Sequence, residues 1–374
     1  MTADVSTAVR SPFARVLRWR AMPYVVPAIV TAVWLVYVLA TDEFGRALDR
    51  WPSAVTMAFG SFLAGASPEG GGAVAFPVFT KVLHVPPAVA RTFALSIQAV
   101  GMTAASIVIL LTGRPVEYRA IWLGTGAGTL GLVLGLLVLG DSSTPFWESR
   151  LPAAYVKVTF TVMLSAMAFL MFQTRQQREY GSMEMGAWTP RIWAGLAVAA
   201  FIGGLLSSLI GTGLNALLFL FMVAMLGMHP RVAVPTSVVT MAAVSVVGFV
   251  ILGLGHGQLD VVLNAGGEVV SVGGSVIDPE AASSHDLRGL WLAAVPIVVW
   301  GAPLGTYVVH RLREDWLVLF LGALATIEVL STVVLVDALR SDLGLVIYGV
   351  ASLTIAVGGI RLLATRRDSI LGLD

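Results

Sequence analysis

Apolar runs of about twenty residues recur along the chain, separated by short polar segments. A bilayer core of about 30 Å takes about 20 residues of helix to cross, and lipid admits only elements that satisfy their own backbone. Eight runs read as full spans: 24–40, 87–112, 119–140, 152–173, 231–254, 289–310, 315–337 and 343–363. Only 12% of the residues are charged, about half the roughly 25% of a soluble domain, too little to wet a soluble surface. These runs predict an all-α polytopic protein of the cell membrane, with the lipid bilayer as its first partner. Arg10, Arg15, Arg18 and Arg20 precede the first run as in a signal peptide, but in a polytopic chain that run reads as an uncleaved span. The 23 Lys and Arg nearly cancel the 22 Asp and Glu, so there is no basic footprint for nucleic acid. Cysteine is absent, which excludes disulfides, thiolate metal centres and Cys nucleophiles. The five histidines lie at segment ends or in loops without metal-ligand spacing, so neither a metal nor another cofactor is expected.

Two further apolar blocks, 53–83 and 192–227, are interrupted in their middles. As unbroken helix each would be about 45 Å long at 1.5 Å per residue, too long for one perpendicular crossing. Half-membrane pieces fit better: 53–66 and 73–83 flank Ser67-Pro68-Glu69-Gly70-Gly71-Gly72, while 192–210 and 214–227 flank Gly211-Thr212-Gly213. If both blocks dip in and return, Arg175, Arg178 and Arg191 fall on the cytoplasmic side, as positive-inside bias prefers. Whether the blocks re-enter or cross, both termini are expected in the cytoplasm.

A shift of 144 residues places Gly60 on Gly204, Ser67-Pro68-Glu69 on Gly211-Thr212-Gly213, Pro86 on Pro230, Thr92 on Thr236 and Gly113 on Gly257. This pattern predicts two repeats, 53–173 and 192–337, each a broken or re-entrant helix pair plus three spans. Residues 1–52 supply a tail and an extra span, 174–191 a cytoplasmic linker, and 338–374 a last span and tail. An odd number of crossings per repeat makes the repeats inverted, the plan of secondary carriers whose sites lie where discontinuous helices meet. The second repeat alone contains the insert 255–288, rich in acids and carrying a hairpin signal around Gly273-Gly274. It is expected outside, its oligomeric or partner role open.

Ser67-Pro68-Glu69 reads as a helix start, with Ser67 as N-cap, Pro68 at the first position and Glu69 in the first turn. Gly70, Gly71 and Gly72 then leave backbone N–H groups open, and a helix N-terminus with open N–H groups attracts anions. Gly211 and Gly213 repeat the arrangement, with Thr212 and Asn215 as side-chain donors. Thr92 and Thr236, the latter followed by Ser237, occupy matched first turns of proline-opened helices, with Gln98 two turns deeper than Arg91. Glu69 would compete with an anion for the same donors unless protonated, which makes it a proton-coupling candidate. Glu328 is a second, because an ionisable residue in mid-span marks a pathway. Gly124, Gly128, Gly131 and Gly135, and Gly301 with Gly305, have the small-residue spacing of helix packing seams.

The glycine-rich break, the apolar half-helix and the proline-opened helix Ala233-Val234-Pro235-Thr236-Ser237, present twice, resemble the TauE/SafE sulfite exporter family over about 53–337. The resemblance implies a secondary transporter of small anions, exporting sulfite or a related sulfur oxyanion or organosulfonate, bound at the midplane by the helix N-termini. An intramembrane enzyme is the alternative, but His-Glu-x-x-His, paired aspartates and Gly-x-Ser-x-Gly are all missing. A non-transporting assembly or partner protein is another, supported only by the acidic insert.

Overall fold

The structure is a computed structural model that describes residues 22–173, 182–183, 188–278, 285–309 and 314–365. The tails and most of the 174–191 linker, with Arg175 and Arg178, lie outside these residues. The helices are α1 (Met22–Ala40), α2 (Phe44–Asp49), α3 (Trp51–Ala66), α4 (Gly72–Val82), α5 (Pro87–Leu111), α6 (Tyr118–Leu139), α7 (Ala153–Gln173), α8 (Pro190–Ile210) and α9 (Leu214–Met225). After them come α10 (Pro230–Gly255), α11 (Leu287–Val309), α12 (Glu314–Leu335), α13 (Ala338–Ser341) and α14 (Leu343–Thr365). Seven described helices, α5, α6, α7, α8, α10, α11 and α14, are long and apolar enough to cross a membrane. Trp122, Phe59 and Ile355 on the outer surface are exposed, the apolar exterior that lipid requires. The protein is an all-α polytopic membrane protein with broken helices.

Each interrupted block folds back on itself. Gly60 of α3 lies against the Gly71 carbonyl, and Gly203 of α8 lies against the backbone of Leu214. Farther down the second hairpin Gly195 meets the Phe221 ring, so α9 returns along α8. The first piece of this block is longer than a half-membrane helix: α8 has 21 residues, against 16 for α3. Thr189 caps its start, accepting from the Ile192 N–H at 3.3 Å, and Gly211 ends it at φ 76°, a left-handed turn that glycine adopts at no steric cost. Both returning helices finish in π geometry, Val78–Val82 in α4 and Phe221–Met225 in α9.

Two glycine seams pack these hairpins. Gly131 of α6 sits on the Phe201 carbonyl of α8, while Gly204 sits on the backbone of Gly128 and Leu132. In the other seam Gly305 of α11 sits on the Phe62 carbonyl of α3, and Gly65 on the Ala302 carbonyl. Between the hairpins α5 and α10 run antiparallel. Thr92 Oγ1, near the start of α5, bonds Gln258 Oε1 beyond the end of α10 at 2.7 Å. Thr236 Oγ1, near the start of α10, accepts from the Glu117 N–H beyond the end of α5 at 2.9 Å.

The insert forms a small sheet of β3 (Val261–Leu263), β4 (Val269–Val272), β5 (Ser275–Val276) and β6 (His285–Asp286) in the order β5-β4-β3-β6. Val272 pairs with Ser275 around Gly273-Gly274, where the hairpin was expected. Ion pairs tie this sheet's margins to α2: Arg46 reaches Asp286 at 2.7 Å and Glu43 at 3.1 Å, and Arg288 reaches Asp260 and Glu43. A shorter pairing, β1 (Gly140–Asp141) with β2 (Glu148–Ser149), follows α6.

Candidate functional site

The first break differs from the helix start expected for it. Ser67 is the C-cap of α3, extended at φ −138° and ψ 158°, with its N–H bonded to the Leu63 carbonyl at 2.8 Å. A residue before proline is driven out of the α region, so Ser67-Pro68 ends one helix and does not begin the next. Glu69 lies in the turn, Gly70 takes φ 72°, and α4 starts only at Gly72 with Gly71 as N-cap. Among the described residues, no backbone hydrogen bond of the turns and caps uses the N–H of Gly70, Gly71 or Gly72.

The second break is shorter. After Gly211, Gly213 takes φ 126° and α9 begins at Leu214, whose N–H bonds Ser207 Oγ at 3.3 Å. Thr212 donates its hydroxyl to the Glu69 carbonyl at 3.0 Å and so fastens the two breaks together. A Cβ built on Gly70 would lie 2.9 Å from Asn215 Nδ2, 3.5 Å from Gln98 Oε1 and 3.7 Å from Thr212 Oγ1. Ser67, Glu69, Gln98, Thr212 and Asn215 are all buried. Two breaks 143 residues apart, by the Thr212 to Glu69 bond, thus meet at one interior point with α5 beside them.

The polar atoms at this junction are unevenly used. Gln98 Nε2 donates to the carbonyls of Gly211 at 2.8 Å and Ala94 at 3.0 Å, which fixes the amide's orientation and turns Oε1 towards Gly70. That oxygen, both ends of the Asn215 amide and Ser67 Oγ have no hydrogen-bond partner among the described residues. Buried polar groups without partners cost about 1–3 kcal/mol each, so a cluster of them marks a place where a partner is to be supplied.

Other expected residues lie elsewhere. Thr92 and Thr236 are spent on the reciprocal bonds between α5 and α10, and Ser237 donates to the Val234 carbonyl at 2.9 Å. Arg91 points away from the junction: its buried guanidinium donates to the carbonyls of Phe146, Trp147 and Ser208. Glu328 is also buried, and Lys81 of α4 is bonded to it at 2.5 Å. Sequence reasoning passed over Lys81, although a single cation inside the apolar run 73–83 is the same signal that picked out Glu328. Among the described residues no group of three or more His, Asp or Glu gathers where a metal ion could be held.

Residues 53–331 match the family model described as sulfite exporter TauE/SafE. The match covers well over half of the chain, and the protein belongs to that family of small-anion transporters. No curated protein and no solved structure gives a match.

Proposed function

We propose that this member of the TauE/SafE family is a secondary carrier that exports sulfite or a related sulfur oxyanion or organosulfonate, and that the anion binds where the two chain breaks meet. The observation that carries this reading is the buried cluster of polar atoms on Gln98 and Asn215 unpartnered among the described residues, facing glycines whose N–H groups no turn or cap bond uses. The substrate-binding set is then Gly70, Gly71 and Gly72 with Gly213 through their backbone, and Ser67, Gln98, Thr212 and Asn215 through side chains. Gly211, Thr92, Thr236 and Ser237 shape the helices around it.

The cluster offers acceptors as well as donors. Gln98 Oε1 and Asn215 Oδ1 accept, whereas Asn215 Nδ2 and the glycine N–H groups donate. A fully ionised oxyanion uses only donors, so the mixed set suits an anion carrying one proton, such as hydrogen sulfite. Glu69, buried in the same turn, fits this reading as the proton-linked group whose neutral form admits the anion. Glu328 is the second such candidate, and there a proton transfer would have to involve Lys81.

The reciprocal contacts of Thr92 and Thr236, and the two seams at Gly131 and Gly305, support a pair of inverted repeats that work against each other. With both hairpins re-entrant, the two termini share one face, which positive-inside bias makes cytoplasmic. The chain's lack of cysteine lets a single Cys in the 174–191 linker test this: labelling from the cytoplasm is expected, and labelling only from outside rejects it.

Transport is tested in proteoliposomes with labelled sulfite, sulfate, thiosulfate and a short sulfonate, at several pH values under a clamped potential. Saturable movement of one anion is expected, with a pH dependence that Glu69→Gln flattens. Folded protein that moves none of them would reject the sulfur-anion assignment and leave the breaks needing another ligand, and an unchanged pH profile in Glu69→Gln would remove the proton role.

A further inference from the structure

Lys81 is buried in a shell of oxygens. Its Nζ lies 2.5 Å from Glu328 Oε1, 2.7 Å from Thr332 Oγ1, 3.0 Å from Ser331 Oγ and 3.4 Å from the Glu328 carbonyl. Thr161 of α7 braces this group, donating to Glu328 Oε1 at 2.8 Å and hydrogen-bonded to Thr332 Oγ1 at 2.7 Å. The side chains of Lys81 and Glu328 are each only 2% exposed. Glu328 Oε2 is buried with no hydrogen-bond partner among the described residues.

An ammonium has three N–H bonds to give, yet this one faces four oxygens while a fifth, Glu328 Oε2, stays unused. A carboxylate, hydroxyls and a backbone carbonyl converging on one point form the all-oxygen set that hard cations take. All four oxygens come from α12, Thr161 of α7 braces two of them, and α4 delivers the charge. We propose that this shell is a monovalent-cation site whose occupant is built in, the Lys81 ammonium standing where a sodium ion would otherwise sit. The chain therefore carries its own counter-cation next to the first hairpin and needs no sodium to hold α4 against α7 and α12. Removing the ammonium opens the shell to sodium.

The test uses full-length protein in nanodiscs and reads melting temperature in sodium chloride against choline chloride. Wild type is expected to melt at the same temperature in both. Lys81→Ala leaves a buried carboxylate without its partner, the costly way to break such a pair. It is expected to melt lower in choline and to recover with sodium, by on the order of 3 °C per tenfold increase above the dissociation constant. Lys81→Ala combined with Glu328→Gln has no charge left to neutralise and is expected to ignore sodium. The proposal fails if wild type itself responds to sodium, if Lys81→Ala does not, or if the double variant responds equally. Lys81→Ala that cannot be recovered folded in sodium overturns it as well, because the shell then does not accept an ion in place of the ammonium. No transported anion enters this readout, so its outcome is independent of the transport reading.

Discussion

The two chain breaks coincide under the 144-residue shift and are built from opposite materials. The first, between Ala66 and Gly72, brings three glycines and offers main-chain N–H groups. The second, Gly211-Thr212-Gly213, bends on two glycines of positive φ and offers the side chains of Thr212 and Asn215. Gly70 and Gly72 are small because the second break's side chains fill the space beside them: a Cβ on Gly72 would come within 2.8 Å of Thr212 Cγ2. The two breaks thus divide into a backbone half and a side-chain half. The first should be sensitive to added atoms and the second to removed ones.

The seams provide the largest contrast, because there the two halves should respond alike. Gly131→Leu and Gly305→Leu each drive a side chain into a neighbouring carbonyl, beyond the ordinary 1–3 kcal/mol of overpacking. Neither is expected to yield monodisperse protein on size exclusion; folded protein from one alone would show that the seams are not equivalent.

At the breaks the responses should diverge. Gly70→Ala places an L-residue at φ 72°, at a cost of roughly 1–2 kcal/mol, and crowds Asn215. A lower melting temperature and at least about a tenfold loss of transport are expected, the factor following from 1.4 kcal/mol per decade. Asn215→Leu deletes two unpartnered buried polar atoms, each costing about 1–3 kcal/mol. It should abolish transport while the melting temperature holds or rises. A clear fall in melting temperature there would mean that Asn215 serves packing and not a ligand.

Smaller effects follow. Thr212→Val removes the hydrogen bond to the Glu69 carbonyl and should cost about 1 kcal/mol, read as a shift in melting temperature. Smallest of all is the difference between Thr92→Val and Thr236→Val, which remove the reciprocal bonds. Each should cost about 1 kcal/mol or less, and unequal losses would break the symmetry of the two halves.

Much of this frame was legible in the sequence. Span limits fall within two residues of the helices, for instance 87–112 against Pro87–Leu111 and 289–310 against Leu287–Val309, because hydropathy and proline act locally. The breaks were legible for the same reason, but the part played by Ser67 was not. An N-cap and a residue before proline both take extended geometry, and only the glycines downstream show that no helix follows at once. Lys81 and Gln258 escaped notice because their meaning depends on partners 247 and 166 residues away. The carbonyls of Phe146, Trp147 and Ser208 that hold Arg91 have no signature in sequence at all.

The ion pairs that join α2 to the insert act on one face of the molecule only. Halves matched in packing would exchange two end states of nearly equal free energy. On the carrier reading proposed above, Arg46, Glu43, Asp260, Asp286 and Arg288 would weight that exchange towards the state in which these pairs stay closed, and a ligand can shift such a balance only by its differential affinity. On the same reading, the resting bias is thus set by a segment that the first half of the chain lacks.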